Sequence, residues 1–176
     1  MASASLKEQI SNWRVSSVLN RDTSSFGKQY LLDGSHETCW NSEQGTPQHI
    51  LVEFKVPVLV DKVSIQFQGG FAGKATKLID LGRKADICPL YPEDNNKLQT
   101  FVLPKHEQCV DRRRIKIQFL TSTDFYGRII VYSLDVHGRV AEHSETTLEQ
   151  SRQQDPAGAT LESASADISG TVIKIE

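Results

Sequence analysis

The chain has only three cysteines, Cys39, Cys88 and Cys109, and no two of them stand in C-x-x-C spacing. An odd, scattered set excludes a disulfide framework and offers zinc no ligand pair, so each thiol is expected simply to pack. No stretch approaches the roughly 18 apolar residues of a membrane span, and Met1 to Asn12, which holds Lys7 and Glu8, has no apolar run for a signal peptide. With no Asn-x-Ser/Thr acceptor either, the expectation is a soluble cytosolic or nuclear protein.

Catalytic signatures are missing as well. There is no G-x-S-x-G elbow and no H-E-x-x-H, and His36, His49, His106, His137 and His143 are scattered singly. The glycine-rich stretch Gly69 to Lys74 fails as a phosphate loop: Gln68 stands where the first glycine belongs, and Ala75 replaces the magnesium-binding hydroxyl. A hairpin connection is the simpler role for those glycines. Without convergent reactive groups the chain is expected to bind and not to catalyse.

The length of 176 residues suits one domain plus a tail. Composition changes after Val140. Residues 141–176 contain no aromatic and seven acids against two bases, a net charge of −5, which leaves the body with 18 bases and 15 acids, or +3. So polar and acidic a segment cannot bury enough apolar surface to offset its ordering entropy, and a disordered acidic tail is expected there. A flexible N-terminus is expected over residues 1–12 and the domain over residues 13–140.

Within the body, period-two alternation dominates. Ile50, Val52 and Phe54 share one strand face; so do Val63, Ile65 and Phe67, then Ile115, Ile117 and Phe119, then Ile130, Tyr132, Leu134 and Val136. Shorter candidates are Arg14 to Leu19, Lys77 to Leu81 and Leu98 to Leu103, with turn clusters at Asp33-Gly34, Gln44 to Pro47, Gly69 to Gly73, Tyr91 to Asn96 and Tyr126-Gly127. No amphipathic helix, internal repeat or βαβ rhythm interrupts them. The pattern predicts an all-β antiparallel sandwich or jelly roll.

Arg112-Arg113-Arg114 with Lys116 is the sharpest basic cluster. Alternation puts Arg112, Arg114 and Lys116 on one strand face, expected to be solvated or to meet an acidic protein partner. A body at only +3, with no aromatics among those bases, argues against direct nucleic-acid binding.

The most informative segment runs from Leu31 to Ser42. Asp33-Gly34 makes a tight turn, Thr38 and Ser42 can bond back to loop backbone, and Trp40 is expected to anchor the loop on the sandwich. This Asp-Gly-x-x-x-Thr-x-Trp-x-Ser pattern, followed by the strand Gln48 to Phe54, resembles the coagulation factor 5/8 type C, or discoidin-like, galactose-binding-like superfamily. With Arg14 to Asn20, Ile65 to Phe71, Tyr91 to Phe101 and Thr123 to Arg128, it looks like a family of repressors that associate with the testicular orphan nuclear receptor (subfamily 2, group C, member 2).

The resemblance spans about residues 13–140. It implies a galactose-binding-like jelly roll of about eight antiparallel strands and a nuclear protein, present in the cytoplasm or not, that binds the receptor, interferes with its DNA binding and represses its transactivation. The cysteine pair that staples secreted discoidin domains is missing. No cofactor is required, although some members hold calcium beside the Asp-Gly turn; by analogy Asp33 and Thr38 would be side-chain ligands, with carbonyls near Tyr30 and Ser35 and a group such as Ser133 or Asp135. The alternative is a ligand- or glycan-binding module, or an accessory subunit of a larger assembly. For either reading the candidate contact residues are Phe71, Phe125 and Tyr126 on the loops, with Arg112 and Arg114. At the C-terminus, Val172 to Glu176 matches the hydrophobic-Lys-x-Glu sumoylation pattern, beside the plainer reading of an unstructured end.

Overall fold

The structure is a computed structural model and describes residues 3–142. Nine strands follow in order: β1 (Ala4–Ser5), β2 (Ile10–Val15), β3 (Trp40–Asn41), β4 (Gln48–Phe67), β5 (Thr76–Asp80), β6 (Ala85–Leu90), β7 (Leu98–Val102), β8 (Asp111–Phe119) and β9 (Ile130–Val140). Every pairing is antiparallel. Helix is confined to single turns between β1 and β2 and between β2 and β3.

The organising element is β4. Its first half, Gln48 to Glu53, lies between β2 and β8, and its second half, Lys62 to Gln66, lies between β7 and β9. The register with β8 breaks between Glu53 and Val58, where Pro57 sits and the strand turns out of one layer into the other. One layer is therefore β2-β4-β8-β5-β6. The other is β7-β4-β9, with β1 and β3 along the far side of β9. This is an antiparallel two-layer sandwich, as the alternation predicts.

Alternation supplies the core between the layers. Ile50, Val52 and Phe54 face in from the first half of β4, then Val58 and Val60; an extra residue at Asp61 in the pairing with β9 shifts the parity, so Val63, Ile65 and Phe67 face in thereafter. Across the layers Phe67 meets Phe119 of β8 edge-on at 5.9 Å, and Trp40 lies 6.4 Å from the same ring. All three are fully buried. Burying a side chain of this size stabilises by about 1.5–3 kcal/mol.

Three expectations need correction. Residues 3–12 are not a free end: Ala4 and Ser5 pair with Gly138 and His137, Leu6 N–H donates to the Val136 carbonyl at 2.7 Å, and Leu6 and Ile10 join the core. Two apolar residues in a polar stretch suffice to tie it down once β9 offers an open edge. The strand expected at Arg14 to Leu19 lies earlier, at Ile10–Val15, because Ser16 and Ser17 turn their hydroxyls to the Gln48 side chain and Asn20 and Arg21 adopt positive φ.

Arg112 is the third. It does not share an exposed face with Arg114 but is 2% exposed. On β8 only Arg113 separates the partners of Glu53 and Val58, and that irregularity opposite the corner of β4 turns Arg112 inward while Arg113 and Arg114 both stay out. Its guanidinium is bonded to the Glu107 carboxylate, to the carbonyls of Glu107 (2.7 Å) and Val110 (3.0 Å), and faces Asp80 Oδ2 at 3.4 Å. The acidic tail expected over residues 141–176 and the Val172 to Glu176 pattern lie, from His143 on, outside the described residues.

Candidate functional site

The loops joining the strands at one end of the sandwich converge. Residues 43–47, 68–75, 91–97 and 120–129 are tied together, the first, second and fourth by backbone: Lys74 N–H donates to Thr121 O, Thr123 N–H to Ala72 O, Ile130 N–H to Phe71 O, and Gly45 N–H to Tyr126 O. Asp94 fastens the third of these loops to its neighbours, accepting from Gly70 N–H at 2.7 Å and Thr123 Oγ1 at 3.3 Å; Asn96 Oδ1 accepts from Gly69 N–H at 2.6 Å.

The outermost feature is the turn Asp124 to Gly127. Gly127 N–H donates to Asp124 O at 3.0 Å, Asp124 Oδ2 accepts from Arg128 N–H at 3.0 Å, and Ser122 Oγ bridges Asp124 N–H and Arg128 O. Gly127 sits at φ 82°, and a Cβ there would lie 3.0 Å from the Gly45 backbone, so glycine is required twice over. Phe125 and Tyr126 occupy the two central positions. Their rings meet edge-on at 5.3 Å and stand 93% and 59% exposed.

Phe71 lies lower and is half-buried. The Arg128 guanidinium covers its face, 4.7 Å from the ring centroid, and is itself held by Asp124 Oδ2 at 3.3 Å. That face of Phe71 is therefore closed to a stacking sugar. It supports the turn from below. The loop end therefore offers a protein surface two large rings on a fixed backbone, where little conformational freedom is lost on contact.

The Asp33 loop is built separately. Asp33 accepts from Ser35 N–H (2.9 Å) and Thr38 Oγ1 (2.6 Å), Gly34 takes positive φ, and Ser35 Oγ accepts from Glu37 N–H at 3.1 Å. Trp40 anchors the loop: its ring is buried and its Nε1–H donates to Ser17 O at 2.8 Å. Two of the calcium ligands implied by resemblance, Asp33 and Thr38, are thus in direct contact. Asp135 is engaged elsewhere, by Ser5 Oγ at 2.7 Å and His137 at 3.3 Å. Both oxygens of Asp33 already carry a bond, and among the described residues no three His, Cys, Asp or Glu side chains gather. Each Asp33 oxygen and the donating Thr38 hydroxyl keep a lone pair, so a cation needing six to eight oxygens would draw the rest of its shell from carbonyls.

Of the expected contact residues, then, Phe125 and Tyr126 come together with Phe71 beneath them. Arg114 is exposed on the outer face of the five-stranded layer opposite Glu53, five residues before Phe119, and does not reach the loops. The sequence reading gave no role to the residues that hold the turn, Gly45, Asp94, Asp124 and Arg128, although Gly45 and Asp94 fall in turn clusters that it marked.

No family model matches the chain. Curated relatives do. Over 128 residues the chain is 51% identical to a Danio rerio protein named nuclear receptor 2C2-associated protein and 49% identical to its Homo sapiens namesake, in each case covering 71% of this chain and 89% of the relative. Among solved structures, the family 32 carbohydrate-binding module of C. perfringens NanJ in complex with galactose aligns with TM-score 0.62 at 17% identity, covering 77% of this chain and 99% of that one. An F5/8 type C domain from Bacteroides fragilis aligns at 0.58 and 14%, covering 76% and 97%. Those structures share the fold. By sequence, the chain belongs to the nuclear receptor 2C2-associated protein family.

Proposed function

We propose that this protein is an interaction module that associates with an orphan nuclear receptor of the 2C2 type, and that it does so in the nucleus through the loop end of the sandwich. On this reading it is a repressor: engagement of the receptor interferes with DNA binding and so lowers transactivation. The observation that carries the association is the near-50% identity to relatives named for it, over nearly their whole length. The loop end is the favoured contact because Phe125 and Tyr126 are large, exposed and fixed, the profile of interface anchors.

The test is capture of purified nuclear receptor 2C2 by the full chain and by a Phe125→Ala/Tyr126→Ala variant, followed by a gel shift of the receptor on its DNA element. Capture by the native chain, weakened at least about tenfold by the double substitution, is expected, since one good anchor is worth about 1.4 kcal/mol or more. Native-strength capture by the variant moves the contact off the loop end. Capture that leaves the receptor–DNA band unchanged removes the repression mechanism and keeps the association.

A further inference from the structure

The four outer edges of the two layers are not equally protected. An unpaired edge strand is a template for another chain, and proteins blunt such edges with proline, charge, cover or brevity. On β2, Lys28 Nζ caps the Trp13 carbonyl at 2.7 Å while Trp13 Nε1–H donates to Lys28 O at 2.9 Å. β6 carries Pro89 and the Asp86–Lys77 ion pair. β1 is two residues long.

β7 has none of these devices. It reads Leu98-Gln99-Thr100-Phe101-Val102, with no proline and no charge, and among the described residues it pairs only with β4. The register settles which groups are free. Leu103 N–H donates to Asp61 O, so Phe101 and Gln99, two and four residues back, also point their backbone groups at β4. Leu98, Thr100 and Val102 direct theirs outward. Their side chains share the outer face of the sheet, as the Ser64 Oγ to Thr100 Oγ1 contact of 2.9 Å shows, and Leu98 and Val102 are 59% and 67% exposed.

We propose that β7 is a docking strand whose open edge takes an extended peptide from a partner protein, with apolar side chains at alternate positions and acidic residues flanking them. The alternation follows from Leu98 and Val102 bracketing Thr100 on one face. The acidic flanks follow from charge: Lys97 and Lys105 stand at the two ends of the strand and Lys62 pairs with Val102 in register, while two acids near the Val102 end are ion-paired, Asp61 with Arg139 and Glu107 with Arg112. Area decides against a second copy of the chain as occupant. Five residues per partner fall far short of the roughly 20–30 a side, about 800 Å², that a stable interface takes. This edge is independent of the loop end, so either assignment can fail alone.

The probe is a blocked seven-residue peptide, Glu-Val-Thr-Val-Thr-Val-Glu, titrated into the labelled full chain and followed by backbone amide resonances and hydrogen exchange. In the free protein the Leu98, Thr100 and Val102 amides exchange fast and those of Gln99 and Phe101 slowly. On binding, expected near 100 µM to about 1 mM, the first three shift and become protected. Thr100→Pro removes an outward N–H without touching the β4 ladder, and Val102→Glu replaces an exposed apolar side chain with a charge that repels the peptide's acidic flank; each is expected to weaken binding by about tenfold or more. No shift at about 1 mM peptide, shifts centred on Phe125 and Tyr126, or equal binding by both variants overturns the proposal. So does concentration-dependent dimerisation that protects the same three amides, which gives the edge to a second copy.

Discussion

Arg112 offers the sharpest test of the interior, because two roles for it predict opposite outcomes. As a surface base it could be removed at no cost to folding and at some cost to binding. In the structure it is buried among Asp80, Glu107 and the carbonyls of Glu107 and Val110. Asp80 Oδ2 and Arg112 Nε have no hydrogen-bond partner and rest on their mutual attraction. Arg112→Met fills similar space with apolar atoms, strands the Asp80 carboxylate in the interior and leaves Glu107 with the longer contact to Arg83 at 3.4 Å. Breaking a buried pair from one side costs about 3–5 kcal/mol. At about 3 °C per kcal/mol for a domain of this size, the melting temperature should fall by about 10–15 °C. The triple variant Arg112→Met/Asp80→Asn/Glu107→Gln removes the orphaned charge and should recover most of the loss, since the amide oxygen placed at position 80 can still accept from the N–H groups of Gly82 and Arg83. Thermal and urea melts of the three proteins decide it. A single variant that melts within about 2 °C of native while losing receptor capture would return Arg112 to the surface and refute the burial argument.

Two further substitutions probe the loops. Gly127→Ala must accept φ 82° and a Cβ 3.0 Å from Gly45, so urea denaturation should show a loss of about 1–3 kcal/mol, with receptor capture falling alongside; an unchanged midpoint would mean the turn is not fixed. Asp33→Asn keeps an oxygen for Ser35 N–H and should cost only about 0.5–1.5 kcal/mol, equally with and without millimolar calcium. A native melting temperature that climbs by several degrees in calcium, and does not climb in the variant, would instead establish a stabilising ion there.

Strand existence was legible wherever alternation ran unbroken, as in Ile115, Ile117 and Phe119. What misled was parity. Single irregularities at Asp61, at Tyr132 and opposite the corner of β4 each reverse which residues face in, and nothing in the local sequence marks them. At Tyr132 the extra residue lets Val131 and Leu134 both enter the core, although strict alternation puts them on opposite faces. The same effect buried Arg112. β6 was overlooked because Ile87 and Cys88 are adjacent and both buried, beside a bulge in its pairing and a proline. β1 was missed because two small residues, Ala4 and Ser5, carry no period at all.

The site follows a different logic. Rings such as Phe125 and Tyr126 are conspicuous in a sequence, but exposure is a property of what lies behind them. Here that backing is a set of small or polar residues drawn from distant segments, Gly45, Asp94, Asp124 and Arg128, whose joint work is visible only once the loops meet. A neighbouring aromatic in the same loop cluster, Phe71, has the opposite fate because Arg128 covers it. The distinction matters for what the loop end can recognise. An open ring at the floor of a cleft suits a sugar, whereas two rings raised on a rigid turn suit a groove in another protein, and Phe125 and Tyr126 form the second arrangement.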